Sequence, residues 1–487
     1  MGISEANHQL HVFFFPFMAY GHMIPTIDIA RLFAARYVKV TIILTPLDAS
    51  IFSKTIDRDR SSGYNIHIQI FQFPAIEAGL PEGIENVDAL TSPEMIPNFF
   101  KAINMLQEPL EQLLQEHQPD FIVADMFLHL VTEAAAKFGI PRFIFHGTNF
   151  FSECVQKSLK CYKPYEGITS DSETFVVPGL PDKIEMTRLQ LSDDFKVESE
   201  FNTKLMDQMR DAELKSYGFL VNSFYELEPA YAEHYKNVMG RRAWHIGPVS
   251  LRNRETMDKV QRGKKASIDE QYVLNWLDTK EPKSVLYICF GSGSRVGRAQ
   301  LLEIAMGLED SGFSFVWVVR TLKNEEEERF LPEGFEERME GKGLIIRDWA
   351  PQVLILDHPA VGGFMTHCGW NSILECVTAG VPMITWPLFA EQFHNENLVT
   401  QVLKIGIRVG AEQWNSWIET KDAAVKKEKI GNVVTQLMGD REEAEEMRTR
   451  VKELSEMARR AVEEGGSSYA DLTALIEELK TYRKPST

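Results

Sequence analysis

Residues 364–375 read FMTHCGWNSILE, an apolar run broken at His367 by a Cys-Gly-Trp-Asn-Ser cluster that passes into helical spacing. Ile373, Cys376 and Val377 fall on one helical face, and Gly380 with Pro382 supplies a stop signal, so Asn371 and Ser372 belong to a first helical turn. A helix start offers unpaired N–H groups and a partial positive charge, which suits a phosphate, and His367 at the strand end adds a donor. A capped helix with a buried His and Trp would use the same residues. His22, in AYGHMIPT between the first apolar run and a helix, stands where Rossmann-like sheets bind ligands. A loop histidine also often serves structure alone.

The elements that must position these residues alternate. HVFFFPF (11–17), TIDIARLFAAR (26–36) and VKVTIIL (38–44) form a βαβ pattern. NIHIQIFQF (65–73), a helical stretch over 99–117, FIVA (121–124) and RFIF (142–145) continue it. The polar stretch RNRETMDKVQRGKKASIDE (252–270) reads as an exposed connection between domains. A second series follows with SVLYICF (284–290), FSFVWVV (313–319), GLII (343–346), VGGFMT (361–366) and VPMIT (381–385). The fold expected is α/β, two facing Rossmann-like domains over 1–251 and 271–487 joined by the 252–270 linker, with a ligand cleft between them. The closing helix is a candidate to pack back on the first domain. The acidic run NEEEE (324–328) reads as a solvated loop.

The 487 residues leave room for two cores. A formal charge of -18 disfavours nucleic acid or an anionic membrane as the main partner, so an anionic ligand must be held locally. Five widely spaced cysteines without a CxxC pair suggest neither a disulfide framework nor a zinc site, and point to reduced cytoplasm. No secretory signal or membrane-spanning run is visible, and Ala6 stands where a myristoylation site after Met-Gly needs Ser or Thr.

From Trp349 to Gln392 the chain reads WAPQVLILDHPAVGGFMTHCGWNSILECVTAGVPMITWPLFAEQ. This closely resembles the signature box of plant secondary-product UDP-glycosyltransferases, complete and without insertion or deletion. GHMIP (21–25) looks like that family's N-terminal catalytic loop, and the flanks GLIIRD and FHNENLV also fit. The resemblance implies the two-domain GT-B layout, with the nucleotide sugar held mainly by the second domain and the acceptor by the first. It assigns uracil stacking to Trp349, a backbone contact to Ala350 and the ribose to Gln352 and Glu375. The diphosphate falls to His367, Asn371, Ser372 and Ser292, and the sugar to Trp370, Glu391 and Gln392. His22 becomes the general base, with Asp125 at the end of FIVAD fixing its tautomer.

The implied reaction is direct, inverting transfer from UDP-glucose to a small acceptor such as a phenolic, coumarin, flavonoid or triterpenoid, with no metal or other cofactor. A terminal Gln392 favours glucose over galactose in such a box; UDP-galactose or UDP-glucuronic acid is the alternative donor. Tyr20, Met126, Phe127, Phe145 and Phe150 could line an acceptor pocket, though core packing explains them too. A nucleotide-sugar or NAD-binding protein without transfer is the rival class, opposed by His22 with Asp125 and by the lack of GxGxxG. Asp57-Arg58-Asp59 matches the DxD pattern of metal-dependent transferases but reads as a solvated charged loop, and GSGSRVG (291–297) has one residue too many for a dinucleotide loop.

Overall fold

The structure, a computed structural model, describes residues 9–196, 199–294, 296–320, 331–414 and 424–482; the Met-Gly start and the acidic run 324–328 lie outside them. Strands β1 (His11–Phe15), β2 (Lys39–Leu44), β3 (Ile66–Ile70), β4 (Phe121–Asp125) and β5 (Arg142–Phe145) lead into a small antiparallel hairpin, β6 (Thr174–Val177) and β7 (Ile184–Thr187). After it come β8 (Gly218–Val221) and β9 (Ala243–His245), which complete a seven-stranded parallel sheet of order β3-β2-β1-β4-β5-β8-β9. The second domain adds β10 (Val285–Cys289), β11 (Ser314–Val319), β12 (Gly343–Arg347), β13 (Val361–Thr366), β14 (Met383–Thr385) and β15 (Gly406–Arg408). These six form a parallel sheet of order β12-β11-β10-β13-β14-β15.

The continuous apolar runs follow from helices on both faces. Successive side chains of β1 enter opposite cores: Phe13 and Phe15 pack with Phe99 and Ile103, while Val12 and Phe14 pack with Ile27, Ala30 and Phe33. In β10 the same alternation sends Leu286 and Ile288 one way and Val285 and Tyr287 the other. The latter cluster is continuous from Phe151 in the first domain to Trp370 in the second, so the domains share apolar surface. The helix Ser467–Thr481 carries Leu472, Leu475, Ile476 and Leu479 into the core behind β1, and Asp471 accepts the His245 N–H at 3.0 Å.

Three sequence expectations change. The first helix starts at Tyr20, with Pro25 inside it, so His22 stands in a helical first turn and not in a loop. The stretch 99–117 is two helices, Ile96–Met105 and Gln107–His117, separated at Leu106. The 252–270 connection is not a freely exposed strap. Buried Arg31 donates to Asp59 Oδ2 at 2.6 Å, to Asn253 Oδ1 at 2.6 Å and to Asp258 Oδ1 at 3.3 Å, pinning the connection to the first domain. Lys259 reaches Asp357 of the second domain at 2.7 Å.

Removing one side of a buried ion network strands the other, at a cost of roughly 3–5 kcal/mol. Arg31→Ala is therefore expected to lower the urea midpoint of the first unfolding transition strongly. Arg60→Ala, which breaks only an exposed i,i+3 pair with Asp57, should shift it little. Equal midpoints for the two variants would contradict this account.

Candidate active site

Both parallel sheets reverse their strand order once near the middle, and such reversals open a crevice beyond the strand ends. In the first sheet the reversal lies between β1 and β4, with His22 after β1 and Asp125 closing β4. His22 Nδ1 stands 2.8 Å from Asp125 Oδ2. Asp125 is fully buried and its Oδ1 accepts the Phe127 N–H at 3.0 Å, whereas the His22 side chain keeps a quarter of its surface open. Burial pulls the imidazolium down, but the charge and hydrogen bond of Asp125, reinforced by Glu391 and Asp88, outweigh it and raise the pKa above 6.5. A neutral His22 donating Nδ1–H to Asp125 leaves Nε2 as a proton acceptor.

In the second sheet the reversal lies between β10 and β13, followed respectively by Ser292 and His367. His367 fits only because Gly291 has no side chain: a Cβ there would stand 2.6 Å from Nε2, and its φ of +77° suits glycine. Burial alone pushes the His367 imidazolium down to about 4, and Nδ1 has no partner among the described residues. At neutral pH this ring is an uncharged donor. The helix Trp370–Ala379 begins after Gly369 with no side-chain cap, and Gly380 ends it in the left-handed region. Left-handed Cys368, Asp348 and Ala390 each immediately adjoin an expected donor contact: His367, Trp349 and Glu391. Non-glycine residues hold that conformation only where the surroundings demand it.

The remaining donor-side residues gather around this helix. Gln352 Nε2 donates to Ser372 Oγ at 3.1 Å and to Glu375 Oε2 at 2.7 Å. Ala350 offers its carbonyl to the Gln352 N–H at 2.9 Å. Trp349 is half-buried, its ring edge-on to Tyr20 at 5.7 Å. Gln392 Oε1 accepts the Leu388 and Phe389 N–H groups at 2.9 and 3.0 Å, leaving its amide N–H groups to donate. Glu391 Oε1 accepts from Asn395 at 3.2 Å, and burial raises its carboxyl pKa. Trp370, expected to contact the sugar, has a buried indole that donates across the domains to the Asn222 carbonyl at 2.7 Å. Only its backbone N–H, in the first helical turn, remains for a sugar.

The two reversals face one another and are joined. Pro25 has no N–H for the Gly21 carbonyl one turn earlier, and that carbonyl accepts Asn371 Nδ2 at 2.5 Å. Asn222 Nδ2 approaches Asn371 Oδ1 at 3.3 Å. Arg320 donates to the carbonyls of both Ser292 and Asp88, the latter at 2.9 Å.

Aromatic rings wall the first-domain side of His22. Phe17 and Phe127 lie 5.7 and 5.6 Å from its ring, Phe100 stacks on Phe17 at 6.1 Å, and Phe201 meets Phe100 at 5.9 Å. Phe127 was foreseen from sequence; Phe17, Phe100 and Phe201 were not, because two sit on separate helices that the fold brings together. Met126 is half-buried between two cores. Phe145 and Phe150 are corrected to core: both are fully packed, Phe145 behind β1 and Phe150 against Tyr235 and His245. Tyr20 is also buried, on the Trp349 side, under the Lys264 ammonium at 4.4 Å.

Asp57 and Asp59 lie on the helix Pro46–Ser61 and not in a loop, with Asp59 neutralising Arg31. Among the described residues, His146, Glu153 and Glu213 have the spacing of metal ligands. Burial lowers the His146 pKa, but Glu153 at 2.9 Å, with Glu213 and Asp125, carries it up to about 9, so the trio already holds an internal cation. No helix of the described chain is long and apolar enough to cross a membrane.

Residues 241–413 match the family model described as UDP-glucoronosyl and UDP-glucosyl transferase. The chain is 56% identical over 476 residues to a scopoletin glucosyltransferase of Nicotiana tabacum, covering 97% of this chain and 98% of that one. It is 52% identical to an anthocyanin 3'-O-beta-glucosyltransferase of Gentiana triflora, over 97% and 99%. The crystal structure of Glycyrrhiza uralensis UGT73P12 with glycyrrhetinic acid 3-O-monoglucuronide superposes with a TM-score of 0.92 at 46% identity, covering 97% of this chain and 96% of that one. Sharing half its residues along almost the whole of these relatives, and their two-domain fold, the chain belongs to the plant UDP-glycosyltransferase family and is a UDP-glycosyltransferase.

Proposed function

We propose that this enzyme transfers glucose from UDP-glucose to a hydroxyl of a small, ring-bearing, largely apolar acceptor, with inversion and without a metal. The observation that carries the reading is the 2.8 Å contact of His22 Nδ1 with buried Asp125, opposite an uncapped helix start. In this reading uracil stacks on Trp349 and the ribose hydroxyls donate to Glu375 beside Gln352. The diphosphate lies against His367, the Ser292 hydroxyl and the N–H groups of Asn371 and Ser372. The Trp370 N–H, Glu391 and Gln392 orient the sugar.

His22 Nε2 takes the acceptor's proton as its oxygen attacks the anomeric carbon from the face opposite UDP, and Asp125 stabilises the imidazolium that forms. Charge growing on the departing diphosphate strengthens its bonds to the helix start, so these donors act more in the transition state than in the ground state. The aromatic wall of Phe17, Phe100, Phe127 and Phe201 suits a coumarin, flavonoid, other phenolic or triterpenoid acceptor. The names of the scopoletin and anthocyanin relatives point the same way. Five free thiols suit reduced cytoplasm as the working compartment.

Given equal UDP-glucose, UDP-galactose and UDP-glucuronic acid with a phenolic panel, the enzyme should yield mainly the glucoside by mass spectrometry. A dominant galactoside or glucuronide would refute the donor assignment.

Turnover should persist in EDTA, since helix N–H groups and neutral donors suffice for the diphosphate. Activity lost to chelator and restored by magnesium or manganese would overturn the metal-free mechanism.

His22→Ala is expected to cut turnover on an alcohol roughly 10²- to 10⁴-fold, with UDP affinity by calorimetry almost unchanged. An acceptor already ionised at assay pH should lose less. Neutral His22 is the active form, so the acidic limb of kcat/KM should lie above pH 6.5. In Asp125→Asn the raising charge is gone and burial remains, so the limb should move to lower pH. A limb that stays put in Asp125→Asn would remove the dyad.

A further inference from the structure

The linker carries a cation that neither the signature box nor the catalytic dyad uses. Arg262 Nε donates to Asp28 Oδ2 at 2.8 Å, and its NH1 donates to Glu375 Oε1. All three side chains are at least nine-tenths buried. Asp28 lies on the helix that begins at His22's turn, and its other oxygen is fixed by Asn253 Nδ2 at 3.0 Å. Glu375 lies on the helix whose first turn holds Asn371 and Ser372. One guanidinium therefore ties the helix that bears His22 to the helix proposed to seat the diphosphate, through one carboxylate on each.

The residues after Arg262 line the same place. Gly263, at φ +105°, passes so close to Trp349 that a Cβ would stand 2.5 Å from Cζ2, and the Ser267 N–H donates to the Trp349 carbonyl at 3.0 Å. Segment 262–267 is thus the back wall of the seats proposed above for uracil and ribose.

We propose that Arg262 is a positioning residue for the donor: it orients Glu375 so that the carboxylate's free lone pairs meet the ribose hydroxyls, and it sets that seat relative to the first domain through Asp28. This rests on the reading of Glu375 as the ribose acceptor. An ionised carboxylate has about four lone-pair sites. Arg262 takes one on Oε1 and Gln352 takes one on Oε2, which leaves room for a vicinal diol. Without Arg262 the buried carboxylate keeps Gln352 as its one side-chain donor and loses the bond that fixes Oε1. The loss then falls on ribose recognition and not on the chemical step.

The test compares calorimetric affinities for UDP and for 2′,3′-dideoxy-UDP, with UDP-glucose kinetics alongside, in the full-length enzyme. Wild type should prefer UDP. Arg262→Ala should bind UDP about 10- to 100-fold more weakly, the range of a buried charge-assisted hydrogen bond, while its affinity for the dideoxy compound hardly moves. The loss should appear in the KM for UDP-glucose with kcat changed much less. Asp28→Asn, which leaves the guanidinium in place, should show a smaller loss of the same kind, and Arg262→Lys should recover part of it.

A variant that loses UDP and dideoxy-UDP affinity equally, or neither, would overturn the role given to Arg262. Wild type that binds the two nucleotides alike would instead remove the ribose role of Glu375 itself. If Arg262→Ala does not fold, the same ratio measured in Arg262→Lys and Asp28→Asn decides, since an unchanged ratio in both overturns the proposal.

Discussion

A missing N–H joins the two halves of this enzyme. Proline at position 25 deprives the Gly21 carbonyl of its helical donor, and a carbonyl left without one at a protein interface must find another. Asn371 supplies it at 2.5 Å from the first turn of the facing helix. That bond places the peptide before His22 against the N–H groups proposed to hold the leaving group. The helix that bears His22 and the helix proposed to seat the leaving group are thus joined across the cleft by a short side chain bonded to a backbone carbonyl. A helix-breaking residue early in a helix, which costs stability elsewhere, here creates the acceptor that the interface uses.

Electrostatics around the cleft follow from the same economy of charge. The chain is strongly acidic, and Asp88, Glu391 and Asp125 all act on His22. These carboxylates raise the basicity of the histidine, which favours proton abstraction, but they also make the cleft hostile to a diphosphate. The arrangement separates the two needs. The proposed phosphate seat consists of neutral groups: a histidine that burial keeps uncharged, a serine hydroxyl and a helix start. Preorganised dipoles of this kind stabilise developing charge without the desolvation cost that buried cations carry. Arg262, the buried cation nearby, is directed at carboxylates.

Sequence reading reached the parts whose physics is local. Continuous apolar runs gave most of both sheets, and Gly380 gave the end of the donor helix, because periodicity and capping act within a few residues. Strands β8, β9 and β15 and the hairpin escaped, being three or four residues long with no readable period. The start of the first helix was misjudged because Pro25 reads as a breaker, yet the turn before it is helical. The residues proposed to bind the donor could be named from sequence because they lie in one contiguous box. The aromatic wall beside His22 could not: Phe17, Phe100 and Phe201 are separated along the chain and meet only after two helices pack over β1.

The linker shows why composition alone misleads at a domain boundary. A run of charges without apolar spacing is what a solvated strap looks like, and most such runs are one. Here the partners of those charges lie far away in sequence: Arg31 and Arg58 for Asp258, Asp28 and Glu375 for Arg262. Each pair crosses a gap that no window along the chain can span. A connection between domains proposed to hold donor and acceptor from opposite sides must also hold their distance, and polar side chains can do so because each is satisfied by a specific counterpart. The charges of this linker are therefore not a solvated run but a set of specific pairs that fix it to both domains.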